Sequence, residues 1–403
     1  MKKIILVTAI ILQNIFSFGQ GVYIGSGSVT QGLGTTTNAN IFPGCTGSRV
    51  SAVGTITSTD NKTWVVPAET NFLTGPHLSD LYNQCSGFIP TGISAVNLNT
   101  ITPTTINAGG DTITAYILGD NYFELYINGN LVGVDPVPYT PFNACVTKFI
   151  VSKPYTIAMK LVDWEENLGL GSENNNGNLY HSGDGGLIAV FSDGTVTDST
   201  WRAQTFYVSP IDNLNNIVEL PDSTRSSSNA TVSPTCNANC FGIHYEIPNN
   251  WNSVGFNDNA WPLAHEYTPA TVGVNFPAYN NFTSIWNAGK FIWSSNLVLD
   301  NIVLIRKVVS TTTAINTSIS NPTFDLRFNN NMIDITSSEL LKNVSIEIVN
   351  SLGQQVYQKN VDQLNQAVPY NIPFDKSISD GVYIIRIYNE RFQYSKKLKT
   401  NQP

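Results

Sequence analysis

Hydrophobic and polar residues alternate in short runs from Ile56 to Val309, and Gly, Pro and Asn separate the runs. No segment of a dozen residues in this range repeats its apolar positions with the 3.6-residue period of an amphipathic helix. Short alternating runs between turn residues are typical of antiparallel sheets. The pattern therefore predicts an all-β chain whose main body is a large antiparallel β-sandwich.

The clearest local element is a hairpin that begins at Tyr122 and continues to Val132. Side chains of a strand point alternately to two faces, so the first strand places Phe123, Leu125 and Ile127 on one face and Tyr122, Glu124 and Tyr126 on the other. Asn128-Gly129 follows, and both residues accept the positive φ angles of a type I′ turn. We expect a two-residue hairpin loop there. The best candidate for a short helix is His77 to Cys85, with Ser79 as its N-cap.

The last part of the chain has its own strand rhythm. Residues 310–323 carry no charge and consist mainly of Ser, Thr, Asn and Ile, which predicts a linker. Beyond it, Val344 to Val349 and Val382 to Tyr388 alternate between apolar and polar residues. This rhythm predicts a second, small β-sandwich over residues 324–403.

The same C-terminal segment resembles a known family. Its motifs run in the order Val344-Ser-Ile-Glu-Ile-Val-Asn350-Ser-Leu-Gly353, then Asp380-Gly381-Val382-Tyr383-Ile-Ile-Arg386, then Lys396-Lys397-Leu398. This order is similar to the C-terminal sorting domain of the bacterial type IX secretion system. The resemblance implies an immunoglobulin-like sandwich of seven strands that the outer-membrane translocon recognises, and therefore export to the medium or the cell surface of a Gram-negative bacterium through the periplasm.

A second resemblance covers much of residues 56–309. The segments that carry it are Asp120-Asn-Tyr122-Phe-Glu-Leu-Tyr-Ile-Asn128-Gly129, Trp201-Arg202, Trp251, Gly255 to Trp261, Phe291-Ile-Trp293 and Ile305-Arg306-Lys307. They are similar to segments of galactose-binding-like jelly rolls, which accompany many glycoside hydrolases. The resemblance implies a jelly-roll passenger over residues 20–309, with Trp201, Trp261 and Trp293 in the core between its sheets.

The N-terminus has the pattern of a secretory signal peptide, residues 1–19. Lys2 and Lys3 precede the apolar run Ile4 to Leu12, and small residues near Gly19 offer a cleavage site. That run is shorter than the ~20 residues that span a bilayer, and no later stretch is longer. We expect no membrane span in the mature protein.

Charge narrows the range of partners. The chain has 21 Lys and Arg against 29 Asp and Glu, and the residues between the first 20 and Phe324 carry a net charge of -11. Such a surface repels phosphate groups, so nucleic acid is not an expected partner. Aromatic residues make up 11% of the chain and charged residues only 12%. This composition excludes a disordered or coiled-coil protein.

The five cysteines all follow the predicted signal peptide, in a compartment where disulfides persist. One of them must stay unpaired in a monomer, and the sequence leaves the arrangement open. Cys236 and Cys240 bracket three residues of a polar loop, which favours a local disulfide between them. No cysteine or histidine spacing predicts a zinc site.

Candidate chemistry is concentrated in one acidic stretch. Asp163, Glu165, Glu173 and Asp184 lie in or next to a Gly- and Asn-rich segment, and Asp163 and Glu165 would share one face of a strand. Three interpretations stay open. The carboxylates shape the rim of the sandwich, they bind calcium through oxygen ligands, or two of them form the acid pair of a glycosidase.

Aromatic side chains provide the other candidate site. Trp and Tyr rings stack on the apolar faces of sugars, while Asn, Asp and Glu bind the hydroxyl groups. Trp164, flanked by charges, and Tyr180, beside His181, are the rings expected to be exposed. No serine-hydrolase, zincin or P-loop motif is present. The sequence thus predicts an exported, non-catalytic protein that binds a polysaccharide or another glycan, with a polysaccharide hydrolase or a purely structural surface protein as alternatives.

Overall fold

The computed structural model describes residues 27–45, 47–139, 143–175, 178–220, 225–226, 236, 238–310, 322–329, 332–350, 354–373, 381–389 and 393–400. The predicted signal peptide 1–19 and residues 311–321 of the predicted linker lie outside these ranges. The chain divides into two compact units, Met1–Thr311 and Thr312–Pro403.

The first unit consists mainly of β-strands. In chain order they are β1 Ser28–Gln31, β2 Thr35–Asn38, β3 Val53–Thr57, β4 Thr63–Val66, β5 Ser79–Asn83, β6 Thr104–Thr105, β7 Asp111–Asp120, β8 Tyr122–Ile127, β9 Asn130–Val134, β10 Asn143–Val151, β11 Tyr155–Val162, β12 Glu173–Asn175, β13 Asn178–His181, β14 Gly186–Phe191, β15 Arg202–Ile211, β16 Val218–Glu219, β17 Arg225–Ser226, β18 Phe241–His244, β19 His265–Tyr267, β20 Phe291–Trp293 and β21 Asp300–Val309. Its described helices are short: α1 Pro277–Asn280, α2 Thr283–Trp286, and single 3-10 turns at Ile93–Ala95, Leu98–Thr100 and Leu214–Asn216. None of the helices in the described ranges has the length and hydropathy to cross a bilayer.

Two large sheets form the body of this unit. Sheet I has the order β1-β18-β15-β21-β11-β8-β9, and sheet II the order β19-β20-β14-β7-β10-β5, with β6 parallel to β10. The described β2, β3 and β4 form a small separate sheet. Side chains of sheets I and II meet in one hydrophobic core, to which Trp201 and Trp293 contribute fully buried rings. The predicted all-β sandwich is confirmed.

The outer face of sheet I is also covered. Tyr122, Tyr126 and Ile302 point away from the main core and join a second cluster with Trp251 and Trp261, which come from the long segment after β18. The alternation predicted for β8 is confirmed, because Phe123, Leu125 and Ile127 lie in the main core. Trp261 is buried as expected, but in this second cluster.

The hairpin between β8 and β9 forms as predicted. Ile127 pairs with Asn130, and Asn128 and Gly129 have φ angles of 51° and 82°. Asn128 also ties the turn to the neighbouring strand, because its side-chain oxygen accepts a hydrogen bond from the Thr156 amide at 2.8 Å. The turn therefore fixes the end of sheet I.

We expect Gly129→Val to lower stability by at least ~1 kcal/mol, because a β-branched residue at positive φ is strained. A Cβ at this position would meet no atom closer than 3.6 Å, so the cost comes from the backbone and not from a clash. Urea unfolding measures the change, and Gly129→Asn, which tolerates this φ, is the matched control. Equal stability of the valine variant and the wild type would contradict the strained turn.

The predicted helix from His77 to Cys85 is wrong. Ser79–Asn83 is strand β5, paired antiparallel with β10. A helix this short is marginal by itself, whereas the strand buries Leu81 and Tyr82 in the main core. The Asn83 side chain accepts hydrogen bonds from the next amides, those of Cys85 and Ser86, and turns the chain there.

The second unit contains seven described strands: β22 Phe324–Asn329, β23 Met332–Ser337, β24 Leu341–Asn350, β25 Gln355–Leu364, β26 Tyr370–Pro373, β27 Gly381–Tyr388 and β28 Gln393–Thr400. They form a three-stranded sheet, β22-β23-β26, and a four-stranded sheet, β25-β24-β27-β28. Ile333, Ile346 and Ile385, all fully buried, belong to the core that the two sheets share. This unit is a small sandwich.

Candidate functional site

The predicted acidic stretch is partly brought together in space. Asp163 follows β11 directly, and its amide donates to the Asn301 carbonyl of the neighbouring strand at 2.9 Å. Glu165, two residues on, accepts a hydrogen bond from the Gly183 amide at 3.0 Å. A Cβ on Gly183 would lie 2.7 Å from a Glu165 carboxyl oxygen and 3.0 Å from one of Asp163. The Gly-rich segment before β14 therefore lies directly on these two carboxyl groups.

Asp120 is the member of this cluster that the sequence did not suggest. It is the last residue of β7 and pairs with Gly186, the first residue of β14. Burial of Asp163, together with the charges of Glu165, Asp120 and Asp184, raises the pKa of Asp163 well above its ordinary value, and Arg49 acts in the opposite direction. The four carboxyl groups thus form one electrostatic unit that favours the protonated form of Asp163.

Glu173 belongs to a neighbouring ion-pair network. Arg49 forms an ion pair with Glu173, and its Nε lies 3.3 Å from a Glu166 carboxyl oxygen. The guanidinium also lies over the Tyr139 ring, 4.4 Å from its centroid. Glu173 therefore pairs with a cation of the protein, the same Arg49 whose charge also acts on Asp163.

The described part of the chain contains no group of three or more His, Cys, Asp or Glu residues placed to hold a metal ion. Calcium binding by Asp163, Glu165, Glu173 and Asp184 stays a prediction.

If these carboxylates bind calcium, we expect millimolar calcium to raise the melting temperature. A hundredfold excess of calcium over Kd would increase the free energy of unfolding by ~2.7 kcal/mol. Asp163→Asn with Asp184→Asn should abolish the shift and a chelator should reverse it; an unchanged melting temperature would contradict calcium binding.

The expected exposure of Trp164 is wrong. This residue is only 2% exposed, and its indole contacts the Tyr122 ring edge-to-face at 5.8 Å. The charged neighbours in sequence do not bring it to the surface, because the ring packs in the second hydrophobic cluster; its amide donates to the Asn121 side-chain oxygen at 2.5 Å. The backbone of Tyr180 and His181 is in strand β13, and their side chains lie outside the described part.

A cavity of about 730 Å³ lies elsewhere, over the outer face of sheet I. One wall is β4 with the residues around it, and the other is the segment that follows β18. Its lining combines apolar and polar side chains: Trp64, Val65, Ala68, Phe206, Tyr245, Ile247, Pro248, Trp251 and Ile302 with Lys62, Thr63, Glu69, Lys160, His244, Glu246, Asn249, Asn250 and Asn252. Clefts of this size are typical of small-molecule sites.

Stacked rings support the first wall. Trp64 stacks on His244 with centroids 5.1 Å apart, and His244 stacks on Tyr207 at 4.3 Å. Burial lowers the pKa of His244 to about 3, so the imidazole is neutral at physiological pH. The Thr30 hydroxyl lies 2.9 Å from its Nε2. His244 thus holds the half-buried Trp64 ring in a fixed orientation at the edge of the cavity.

A buried arginine anchors the opposite wall. Arg306 on β21 is 1% exposed and donates hydrogen bonds to the Trp251 carbonyl and, at 2.8 Å, to the Asp258 carboxylate. Trp251 also packs edge-to-face on Tyr126 at 5.5 Å. Arg306 and Tyr126, which both belong to strands of sheet I, contact Trp251, so this wall has a defined position relative to sheet I.

The floor contains a buried ion pair. Glu124 on β8 is fully buried and accepts hydrogen bonds from Asn71, Tyr122 and Tyr126. Lys160 on β11 lies 3.2 Å from the same carboxylate and donates to the Glu69 carbonyl at 2.8 Å. Burial opposes ionisation of Glu124, but Lys160 and these hydrogen bonds together hold its pKa below the ordinary value. The Glu124 carboxylate is therefore held in its charged form.

Sequence reasoning missed this cavity. Its two walls come from distant parts of the chain, one from β4 of the small sheet and the other from the segment that follows β18 of sheet I. The one local signal is the run of polar residues Asn249-Asn250 and Asn252 around Trp251, between two strands.

Comparison with solved structures gives only distant similarity. The β-glucuronidase of Ruminococcus gnavus is 7% identical, with a TM-score of 0.13 over 72% of this chain and 33% of that one. The β-D-glucuronidase of Dictyoglomus thermophilum is 11% identical, with a TM-score of 0.14 over 93% of this chain and 44% of that one. The chain thus spans about a third to a half of the length of these enzymes. TM-scores this low support no conclusion about fold or function.

No curated protein matches the chain. A family model, described as the secretion system C-terminal sorting domain, matches residues 329–401. The match lies within the small sandwich and includes the Gly381-Val382-Tyr383 and Lys396-Lys397-Leu398 motifs. The protein is therefore handled by the secretion machinery and is secreted or displayed at the cell surface. Residues 329–401 belong to the family of type IX secretion C-terminal sorting domains, as the sequence motifs predicted.

Proposed function

We propose that the first unit is a non-catalytic, carbohydrate-binding passenger whose site is the cavity over sheet I. One observation carries this proposal: two tryptophans in fixed positions, Trp64 and Trp251, line the same cavity as amide, carboxylate and ammonium groups. Sugars present apolar C–H faces and hydroxyl groups that both donate and accept hydrogen bonds. A cavity with both kinds of lining fits such a ligand.

The acidic cluster gives the hydrolase alternative less support. Asp163 and Glu165 are each 2% exposed, and Gly183 covers both carboxyl groups. A glycosidase pair must flank the scissile bond of a bound sugar. The segment with Gly183 would have to leave before a polysaccharide could reach them, whereas the cavity is open to solvent as it stands.

A glycan array followed by titration calorimetry tests the proposal. We expect binding without release of reducing sugar, and a loss of affinity on the order of tenfold in Trp64→Ala, because contact between a sugar and an aromatic ring contributes to the free energy of binding. Phe88→Ala, at an exposed ring away from the cavity, is the control and should bind like the wild type. Release of reducing sugar would favour the hydrolase, and no binding to any glycan would favour a purely structural protein.

Export by the type IX translocon, through the periplasm of a Gram-negative bacterium, makes a separate prediction. Deleting residues 324–403 removes the sorting domain and leaves the passenger unit, which has its own cores. We expect folded passenger to accumulate in the periplasm and to disappear from the medium and the cell surface. Fractionation with an antibody against the first unit measures this, and undiminished extracellular protein would contradict the proposed route.

A further inference from the structure

Charge around the cavity points to the class of sugar, an inference that rests on the function proposed above. Two ammonium groups line the cavity, and each already faces a carboxylate. Lys62 Nζ lies 3.1 Å from a Glu246 oxygen, and Lys160 Nζ lies 3.2 Å from Glu124. Glu69 adds a further carboxylate to the rim. Among the described lining residues, two carboxylates, Glu69 and Glu246, therefore stand against two ammonium groups, and the fully buried Glu124 pairs with Lys160 beneath the lining.

The two ion pairs differ in how easily they can open. The Lys160–Glu124 pair is buried in the floor, with side chains 10% and 0% exposed. The Lys62–Glu246 pair is on the rim, with side chains 50% and 72% exposed. An exposed ion pair contributes little to stability, so its two partners can turn toward a ligand at small cost. The rim pair is therefore the part of the cavity suited to direct contact.

Position relative to Trp64 gives the rim pair its role. Lys62 Nζ lies 5.8 Å from the Trp64 ring centroid, and His244 occupies the stacked position at 5.1 Å. A sugar ring at the Trp64 edge would meet one donor group, the ammonium, and one acceptor group, the carboxylate, side by side. Each sugar hydroxyl both donates and accepts a hydrogen bond, so two adjacent hydroxyls can satisfy this pair together.

We infer that the cavity selects uncharged saccharides with adjacent hydroxyl groups, which insert between Lys62 and Glu246 while a ring contacts Trp64. A sugar carboxylate would instead compete with Glu246 for Lys62, in a cavity that the Glu69 carboxylate also lines. The buried Lys160 offers no compensation, because Glu124 and the Glu69 carbonyl already bind it. The rim pair is thus a determinant of specificity and not a general anion site.

The experiment compares uncharged and charged trisaccharides on the full-length mature protein. The uncharged probes are trimers of glucose, mannose, galactose and xylose, and the charged probes are trimers of galacturonic acid and glucosamine. We expect an uncharged trimer to bind most tightly, with a Kd that changes less than about twofold between roughly 50 and 500 mM NaCl, because salt screens only charged contacts. Tightest binding of a charged trimer, with strong salt dependence, would overturn the inference and leave the proposed function standing. No binding to any trimer would overturn both.

Two variants test the residues. Lys62→Met removes the donor and Glu246→Met removes the acceptor for a hydroxyl, and we expect each to weaken binding of the uncharged trimer about tenfold, in line with the loss of one hydrogen bond to a charged group. Lys290→Met, an exposed lysine outside the cavity lining, is the matched control and should bind like the wild type. Because Lys62 and Glu246 are exposed, melting temperatures should stay unchanged in all three. Unaltered affinity in both rim variants would overturn the assignment.

Discussion

Replacing Cys45 and Cys85 together by serine should destabilise the first unit by about 4 kcal/mol, since a cross-link limits the freedom of the unfolded chain in the chain-entropy description. The two residues form a disulfide with a sequence separation of 40. The effect of a cross-link increases with the logarithm of the closed loop. The folded state also loses a restraint on the segment after Cys45. This segment contains Arg49, which forms ion pairs with Glu166 and Glu173.

The second disulfide provides a control within the same molecule. Cys236 and Cys240 are separated by only 4 residues, so the same relation gives about 2 kcal/mol for their replacement by serine. Cys145, which is buried and free, takes part in neither bond. Urea unfolding of both double variants measures the difference. A smaller loss for the Cys45/Cys85 variant than for the Cys236/Cys240 variant would contradict the loop-length argument.

Local features were predictable from the sequence because a few neighbouring residues determine them. The Asn128-Gly129 turn depends only on residues that accept positive φ, and both adopt it. The Cys236–Cys240 disulfide was expected from its short spacing and is present. The sorting domain was recognisable because its motifs follow one another in a fixed order, and the family model matches residues 329–401.

The acidic cluster shows where sequence proximity fails. Glu173 was grouped with Asp163 because it follows soon after in the chain, but nothing in the sequence indicated that Arg49, from a distant segment, would form an ion pair with Glu173 and act on Asp163. Asp120, which comes well before Asp163 in the sequence, joins the cluster because β7 pairs with β14. Strand pairing over long separations decides which charges meet, and a pattern of alternating residues gives the faces of a strand but not its neighbours.

The same limit applies to the aromatic residues. Flanking charges suggested that Trp164 is exposed, but the fold buries it against Tyr122. Trp64, in an ordinary strand of the small sheet, borders the cavity because His244, from a distant part of the sequence, stacks on it. Exposure of a tryptophan depends on what covers the sheet, and here long loops cover its outer face.

Lys160→Met should be the other strongly destabilising substitution, with a loss of roughly 3 to 5 kcal/mol at pH 7, because removing one partner of a buried ion pair leaves an uncompensated charge. An unpaired buried charge lowers the free energy of unfolding by far more than the intact ion pair raises it. Glu124 would keep its hydrogen bonds from Asn71 and the two tyrosines, but it would lose the only cation in contact with it in the described residues.

The dependence on pH identifies the cause. In the wild type the pKa of folded Glu124 is below its unfolded value, so its contribution is present above the unfolded pKa and is lost as the pH falls through the folded pKa. Burial raises the pKa of Glu124, and Lys160 is the main group that lowers it. Without Lys160, the pKa of folded Glu124 therefore rises, and its charged form destabilises the folded state. The loss caused by Lys160→Met should therefore be largest near neutral pH and should shrink as Glu124 takes up a proton.

Urea unfolding at pH 7 and at about pH 4.5 measures this dependence, with Lys290→Met as the matched control at an exposed position. Combining Lys160→Met with Glu124→Gln removes both charges and keeps a side chain that accepts hydrogen bonds. We expect the double variant to recover much of the stability at pH 7, since the unpaired buried charge is gone. Lys160 would act through packing and not through its charge if Lys160→Met lowered the free energy of unfolding equally at the two pH values. In that case the loss in the double variant would equal the sum of the losses in the two single variants.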